Sequence, residues 1–100
     1  MNLGKIIKEI RENKGINQNE LAELCNLSRS YISLVETGVK TPNSKTLKKI
    51  GEALKVPEQV IIYLSIEIGD VPKTKQNAFK LLSPTIDSLV KSVFLSDPNS

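Results

Sequence analysis

One hundred residues make one domain, or one compact domain with a helical extension; 39% hydrophobic residues, 4% aromatic and no Trp limit the core to aliphatic packing that a partner chain would help complete. A single cysteine excludes an internal disulfide framework, and the absence of histidine removes the commonest metal ligand and general base, so no metal site, cofactor or enzymatic activity is expected. The net charge of +3 is unevenly held: residues 1–56 carry ten Lys/Arg against six Glu, residues 57–100 four Lys against five Asp/Glu, which makes the first half the candidate nucleic-acid surface.

The chain opens with "MNLGKIIKEI", in which Lys5 and Lys8 interrupt the apolar stretch and no signal-peptide cleavage pattern follows. No run approaches the roughly 18 apolar residues that a bilayer span requires, so the expectation is a soluble, cytoplasmic chain without membrane contact. Leu3, Ile6, Ile7 and Ile10 fall at helical spacing before the glycine stop of "NKG" at 13–15. A second short helix starts at the cap Asn17, with Glu20 three residues on as the other half of a capping box, and takes Leu21, Ala22 and Leu24 as its apolar positions. Cys25 on its core side reads as a small buried hydrophobe, with a redox sensor as the alternative.

Only "CNL" at 25–27 separates this helix from Ser28, the cap of a third helix that Gly38 terminates. Two short helices joined so tightly cannot lie antiparallel and must cross steeply. Pro42 then blocks continuation, Asn43 caps a fourth helix, and Leu47, Ile50, Ala53 and Leu54 form its apolar face. Pro57 suits the first position of a fifth helix, "PEQVIIYLSIEI" at 57–68. Ile62, Leu64, Ile66 and Ile68 alternate as in a strand, but helical neighbours favour a helix.

"GDVPKTK" at 69–75 is a turn. Beyond it Phe79, Leu82, Ile86, Leu89 and Val93 recur at spacings of 3, 4, 3 and 4, an a/d seam over two heptads that either folds back on its own domain or pairs with a second subunit. Ser83-Pro84 interrupts the seam, which predicts a short helix at 74–82, a kink, a second helix at 84–95 and a frayed tail, "SDPNS". The organisation expected is a domain over 1–68 and a helical extension over 69–100, the latter for dimerisation through those five apolar residues.

The third helix, within "LSRSYISLVETG" at 27–38, holds serines that its helix propensity does not call for. At about 100° per residue, Ile32 and Val35 define its buried side, while Ser30, Ser33 and Leu34 point away, flanked by Arg29 and Tyr31. Such a small, polar face with one cation either contacts another macromolecule or is an ordinary solvated side. Gln18 on one flank and "TGVKTPNSK" at 37–45 on the other favour contact, since the latter places Thr, Lys and Asn next to a helix N-terminus whose free backbone N–H groups attract phosphate.

Taken in order, "IREN-KG" at 10–15, "NQNELAEL" at 17–24, "LSRSYISLVETG" at 27–38, "TPNSKTLKKIGEAL" at 41–54 and "VIIYL" resemble the five-helix DNA-binding domain of phage repressors, Cro proteins and Xre-type bacterial regulators, over residues 3–64. The resemblance implies an all-α, lambda-repressor-like helix-turn-helix domain that binds double-stranded DNA, with the third helix in the major groove. On this reading Arg29, Ser30, Ser33 and Leu34 face bases, while Gln18, Ser28, Tyr31, Thr37, Lys40, Asn43 and Lys45 face phosphates. It also implies a structural ion pair between Arg11 and Glu36. Asn26 stands where the family usually has Gly, Val39 where it usually has a cation, and Leu34 where polar base readers often stand, so Leu34 either meets a thymine methyl or packs on protein. The function expected is a homodimeric transcriptional regulator, a repressor, on an inverted-repeat operator. The rival is an antitoxin-like or adaptor module whose C-terminal helices bind a second protein.

Overall fold

The computed structural model describes residues 1–95, which are all-helical; the tail "SDPNS" lies outside the described residues. Its helices are α1 (Leu3–Asn13), α2 (Gln18–Cys25), α3 (Arg29–Glu36), α4 (Ser44–Leu54), α5 (Glu58–Ser65) and α6 (Gln76–Phe94), with two single 3-10 turns, Ile68–Asp70 and Lys73–Lys75, between the last two. Among the described residues no helix is long and apolar enough to cross a membrane.

Local chemistry sets most of the boundaries. The side chains of Asn2, Asn17, Ser28 and Asn43 each accept from the backbone N–H three residues on, satisfying donors that a helix start leaves open. At α2 the box is reciprocal, because Glu20 Oε1 accepts from Asn17 N–H. Helices α1 to α4 all end in the same way: a residue at positive φ, namely Gly15, Asn26, Gly38 or Lys55, turns the chain while its own N–H and the next close on the preceding carbonyls. Lys55, at φ +60°, adopts this left-handed turn with a full side chain.

Around one core, α1 packs on α3 and α5, α2 on α3 and α4, and α4 on α5. Ile7, Ile10, Leu21, Ile32, Ile50 and Ile61 are completely buried there, and Cys25 joins them. The buried side of α3 is the expected one, Ile32 and Val35, and that of α4 is Leu47, Ile50 and Leu54. Leu24 departs from expectation: it points outward, 62% exposed. Leu21, Ala22 and Cys25 fill the inward side of α2 instead, and Leu24 lies about 100° around the helix from Cys25.

Gly4 lets α1 cross the end of α3 at close range, since a methyl there would collide with the Val35 carbonyl. Asn2 N–H donates to Ser65 O at 2.8 Å and ties the start of α1 to the end of α5.

The fifth helix is shorter than the expected 57–68. Pro57 stands outside it, extended at ψ 142°, as its capping residue, and the helix ends at Ser65. Ile66 is extended, and a new capping box, with Asp70 Oδ2 accepting from Glu67 N–H at 2.8 Å, starts the next turn. That local bond competes with continued helix, so of the alternating residues Ile62 and Leu64 are helical, Ile66 is extended and Ile68 opens a 3-10 turn.

The C-terminal segment also differs from expectation. Instead of helices at 74–82 and 84–95 separated by a kink, α6 is one helix of 19 residues with Pro84 inside it. Proline leaves the Lys80 carbonyl without its helical donor, but both residues are exposed, so water can take the bond. Half-buried Gln76, Phe79, Ser83, Asp87, Val90 and Phe94 follow one helical phase on both sides of Pro84, and a break would pull one half off the body. Leu95, just past α6, is buried in the core, with Phe94 packed against it.

Candidate nucleic-acid interface

The surface built by α3 follows from the two neighbours that hold its other side. Ile32 and Val35 anchor the helix in the core, and Arg29, Ser30 and Leu34 are left exposed, with Ser33 half-buried. Together with Gln18 from the first turn of α2, these four residues line a shallow depression of about 400 Å³. All four residues expected to read bases thus share one concavity with one of those expected to meet phosphate. Leu34 is 36% exposed within it. Tyr31 differs, because its ring is half-buried and packs on the core from the flank.

Behind this surface sits a buried ion pair. Arg11 on α1 forks onto Glu36 at the end of α3, Nε to Oε2 at 2.7 Å and Nη2 to Oε1 at 3.0 Å. Its Nη1 donates to Ile16 O at 2.8 Å, so one guanidinium binds α1, the α1–α2 turn and α3. The side chains are 10% and 2% exposed. Hydrogen bonding to Glu36 holds Arg11 protonated more firmly than a free guanidinium, against the opposing effect of burial. Glu36 Oε1 also accepts from Gln18 Nε2 at 3.1 Å.

The residues expected at phosphates divide by which of their polar atoms are already engaged. Ser28 Oγ and Asn43 Oδ1 are acceptors in their caps, so the Ser28 hydroxyl proton and the Asn43 amide protons remain for an outside acceptor. Gln18 keeps one amide proton after Glu36 takes the other. Lys40 and Lys45 are exposed and form no ion pair among the described residues. Thr37 is the exception: its hydroxyl donates back to Ser33 O at 3.0 Å and Leu34 O at 3.3 Å, leaving lone pairs outward, which suit a phosphate poorly.

Sequence reasoning missed the Gln18–Glu36 bond. A faint signal exists, because Arg29, Ser33 and Glu36 lie at spacings of 4 and 3 on one stripe of α3, beside which the first residue of α2 must pass.

The residues expected at a dimer contact lie far from this surface in sequence and differ in character. Leu82, Ile86, Leu89 and Val93 are 40–68% exposed and Leu81 is 78% exposed, while Phe79 is half-buried. The opposite side of α6 is held by Lys91 Nζ on Glu9 Oε1 at 3.2 Å and by Asp87 beside Tyr63; burial first, and then the Asp87 carboxylate, raise the Tyr63 phenol above its ordinary 10.0. Most of the seam is thus left uncovered by its own domain.

Known proteins share this architecture. A helix-turn-helix family model matches residues 7–61. The chain is 37% identical over 62 residues to the immunity repressor protein of Bacillus phage phi105, a match covering 62% of this chain and 43% of that one. It is 29% identical over 93 residues to the HTH-type transcriptional regulator ImmR of Bacillus subtilis (strain 168), covering 93% and 68%. The crystal structure of the wild-type restriction-modification controller protein C.Esp1396I superposes with a TM-score of 0.59 at 35% identity, covering 63% of this chain and 83% of that one.

Proposed function

The chain belongs to the helix-turn-helix family of DNA-binding transcriptional regulators, and from that premise we propose that it is a repressor that binds an inverted-repeat operator as a homodimer, with α3 in the major groove. The observation that carries this reading is the depression lined by Gln18, Arg29, Ser30, Ser33 and Leu34 on the free side of α3. Ser30 and Ser33 are short enough to admit base edges, and Arg29 suits guanine through paired donors. Ser28, Tyr31, Lys40, Asn43 and Lys45, with Gln18, supply phosphate donors around it and fix register; Thr37 contributes only if its hydroxyl rotates. Leu34 fits a thymine methyl.

Residues 1–68 act as the DNA-binding unit and 69–100 as the dimerisation extension. The uncovered apolar stripe on α6 supports a second copy as its partner, since Leu82, Ile86, Leu89 and Val93, exposed along one helix face, gain from leaving water. Two copies carry their third helices into successive major grooves about 34 Å apart. A monomer by sedimentation would redirect the α6 stripe to a different protein.

Selection of bound fragments from random duplex DNA tests the DNA reading. The expected result is one inverted motif, with binding that weakens steeply as salt rises. Arg29→Ala should then relax the preference at one base position at a cost of about 1–3 kcal/mol, and Lys40→Ala should weaken all sequences alike. An equal loss on every sequence for Arg29→Ala would make Arg29 a phosphate contact; no enrichment at all would remove the proposal.

A further inference from the structure

The Arg11–Glu36 pair reaches beyond the core. Glu36 Oε1 is shared between Arg11 Nη2 at 3.0 Å and Gln18 Nε2 at 3.1 Å, and Gln18 lines the depression beside Arg29 and Ser33. A carboxylate accepts only, so the bond fixes which end of the Gln18 amide faces inward: the nitrogen. One amide proton is then committed to Glu36, and the carboxamide plane is fixed with the second proton free. Elsewhere on this surface, long side chains such as Lys40 and Lys45 have no such anchor among the described residues.

On the DNA-binding reading above, we infer that Glu36 is a positioning residue for DNA: it holds the Gln18 carboxamide so that its remaining N–H meets a backbone phosphate. Arg11 has a second role in this arrangement, because its charge offsets the Glu36 carboxylate, which would otherwise repel the phosphate brought close to it. Preorganisation is the benefit. Ordering a free glutamine on binding lowers affinity by roughly two- to tenfold, and a glutamine already ordered in the free protein avoids that loss. Phosphate is favoured over a base as the target because Gln18 belongs to the first turn of α2, where the N–H groups of Gln18 and Asn19 are left open after Asn17 and Glu20 have capped each other.

The test is a cycle on the full chain. Gln18→Ala is measured alone and in an Arg11→Met/Glu36→Met background, which replaces the pair by apolar groups of similar length and so leaves no unpaired buried charge. Expected is a loss of about tenfold on every DNA sequence in the native background and less than about threefold in the Met/Met background, with both proteins melting cooperatively. Equal losses in both backgrounds overturn the positioning role, and a loss confined to one base position overturns the phosphate as target. Nuclear magnetic resonance of the free native chain provides a readout independent of these variants. The two Gln18 side-chain amide protons should be well separated, one protected from exchange, and an unprotected pair with free-glutamine shifts would overturn the proposal without DNA. If the intact chain selects an operator while Gln18→Ala binds it unchanged, only this inference fails; if it selects none, the DNA-binding reading fails first.

Discussion

The body formed by α1 to α5 and the helix α6 solve opposite problems with their outer surfaces. On the body most apolar residues turn inward, with Leu24 and Val39 as exceptions, and α3 presents serines, an arginine and engaged caps with donors left over. On α6 no residue within the helix is buried, and the outward side carries Leu81, Leu82, Ile86, Leu89 and Val93. The contrast teaches that exposure means different things in the two places. Free donors around a shallow polar depression suit an anionic polymer, whose acceptors replace water one for one. An aliphatic stripe has nothing to offer a phosphate and gains only by excluding water against another protein.

The sharpest way to break the comparison is to attack the body where it joins its polar surface to its core. Arg11→Ala leaves Glu36 buried and unpaired and should destabilise by about 3–5 kcal/mol in chemical denaturation, whereas the Arg11→Met/Glu36→Met pair should stay near the native stability. Similar losses in both would show that the pair stabilises through its charge. Next comes α6, where Ile86→Lys with Leu89→Lys should raise the dissociation constant of the proposed homodimer at least about a hundredfold by sedimentation, since each aliphatic side chain kept in water forgoes about 1.5–3 kcal/mol. The melting of the dilute monomer should move by no more than about 0.5 kcal/mol, because neither residue is part of the core. A collapse of the monomer would mean that the stripe belongs to the body after all.

Smaller effects refine the body itself. Lys55→Gly should stabilise by up to about 1 kcal/mol, because glycine adopts the left-handed turn at φ +60° without the steric penalty of a Cβ. A loss of stability would show that the lysine contributes more than its backbone strain costs. The smallest effect is on pH dependence. Burial raises the Cys25 thiol above its ordinary 9.0, with nearby Lys49 opposing. The unfolded chain therefore ionises first, so this contribution is complete below pH 9.0 and is lost as the pH rises through the folded value. Denaturation midpoints measured across that window should fall for the native chain and fall less for Cys25→Ala.

How much was legible follows from range. The caps Asn17, Ser28 and Asn43, the stops at Gly15 and Gly38 and the left-handed Asn26 each depend on atoms within about one helical turn, and residues so close in sequence meet whatever the rest of the chain does. The left-handed turn at Lys55 gave no such sign, because lysine has no preference for it.

The amino-acid sequence by itself thus determined the five-helix body, the inward side of α3 and the polar character of its other side, since periodicity and capping are local rules. Only the tertiary structure decided that α5 ends at Ser65, that α6 runs unbroken through Pro84, that Leu24 faces outward and that Gln18 rests on Glu36. Each of these depends on which faces meet across 18 or more residues or on a choice between competing bonds, and such choices are settled by burial and geometry rather than by propensity.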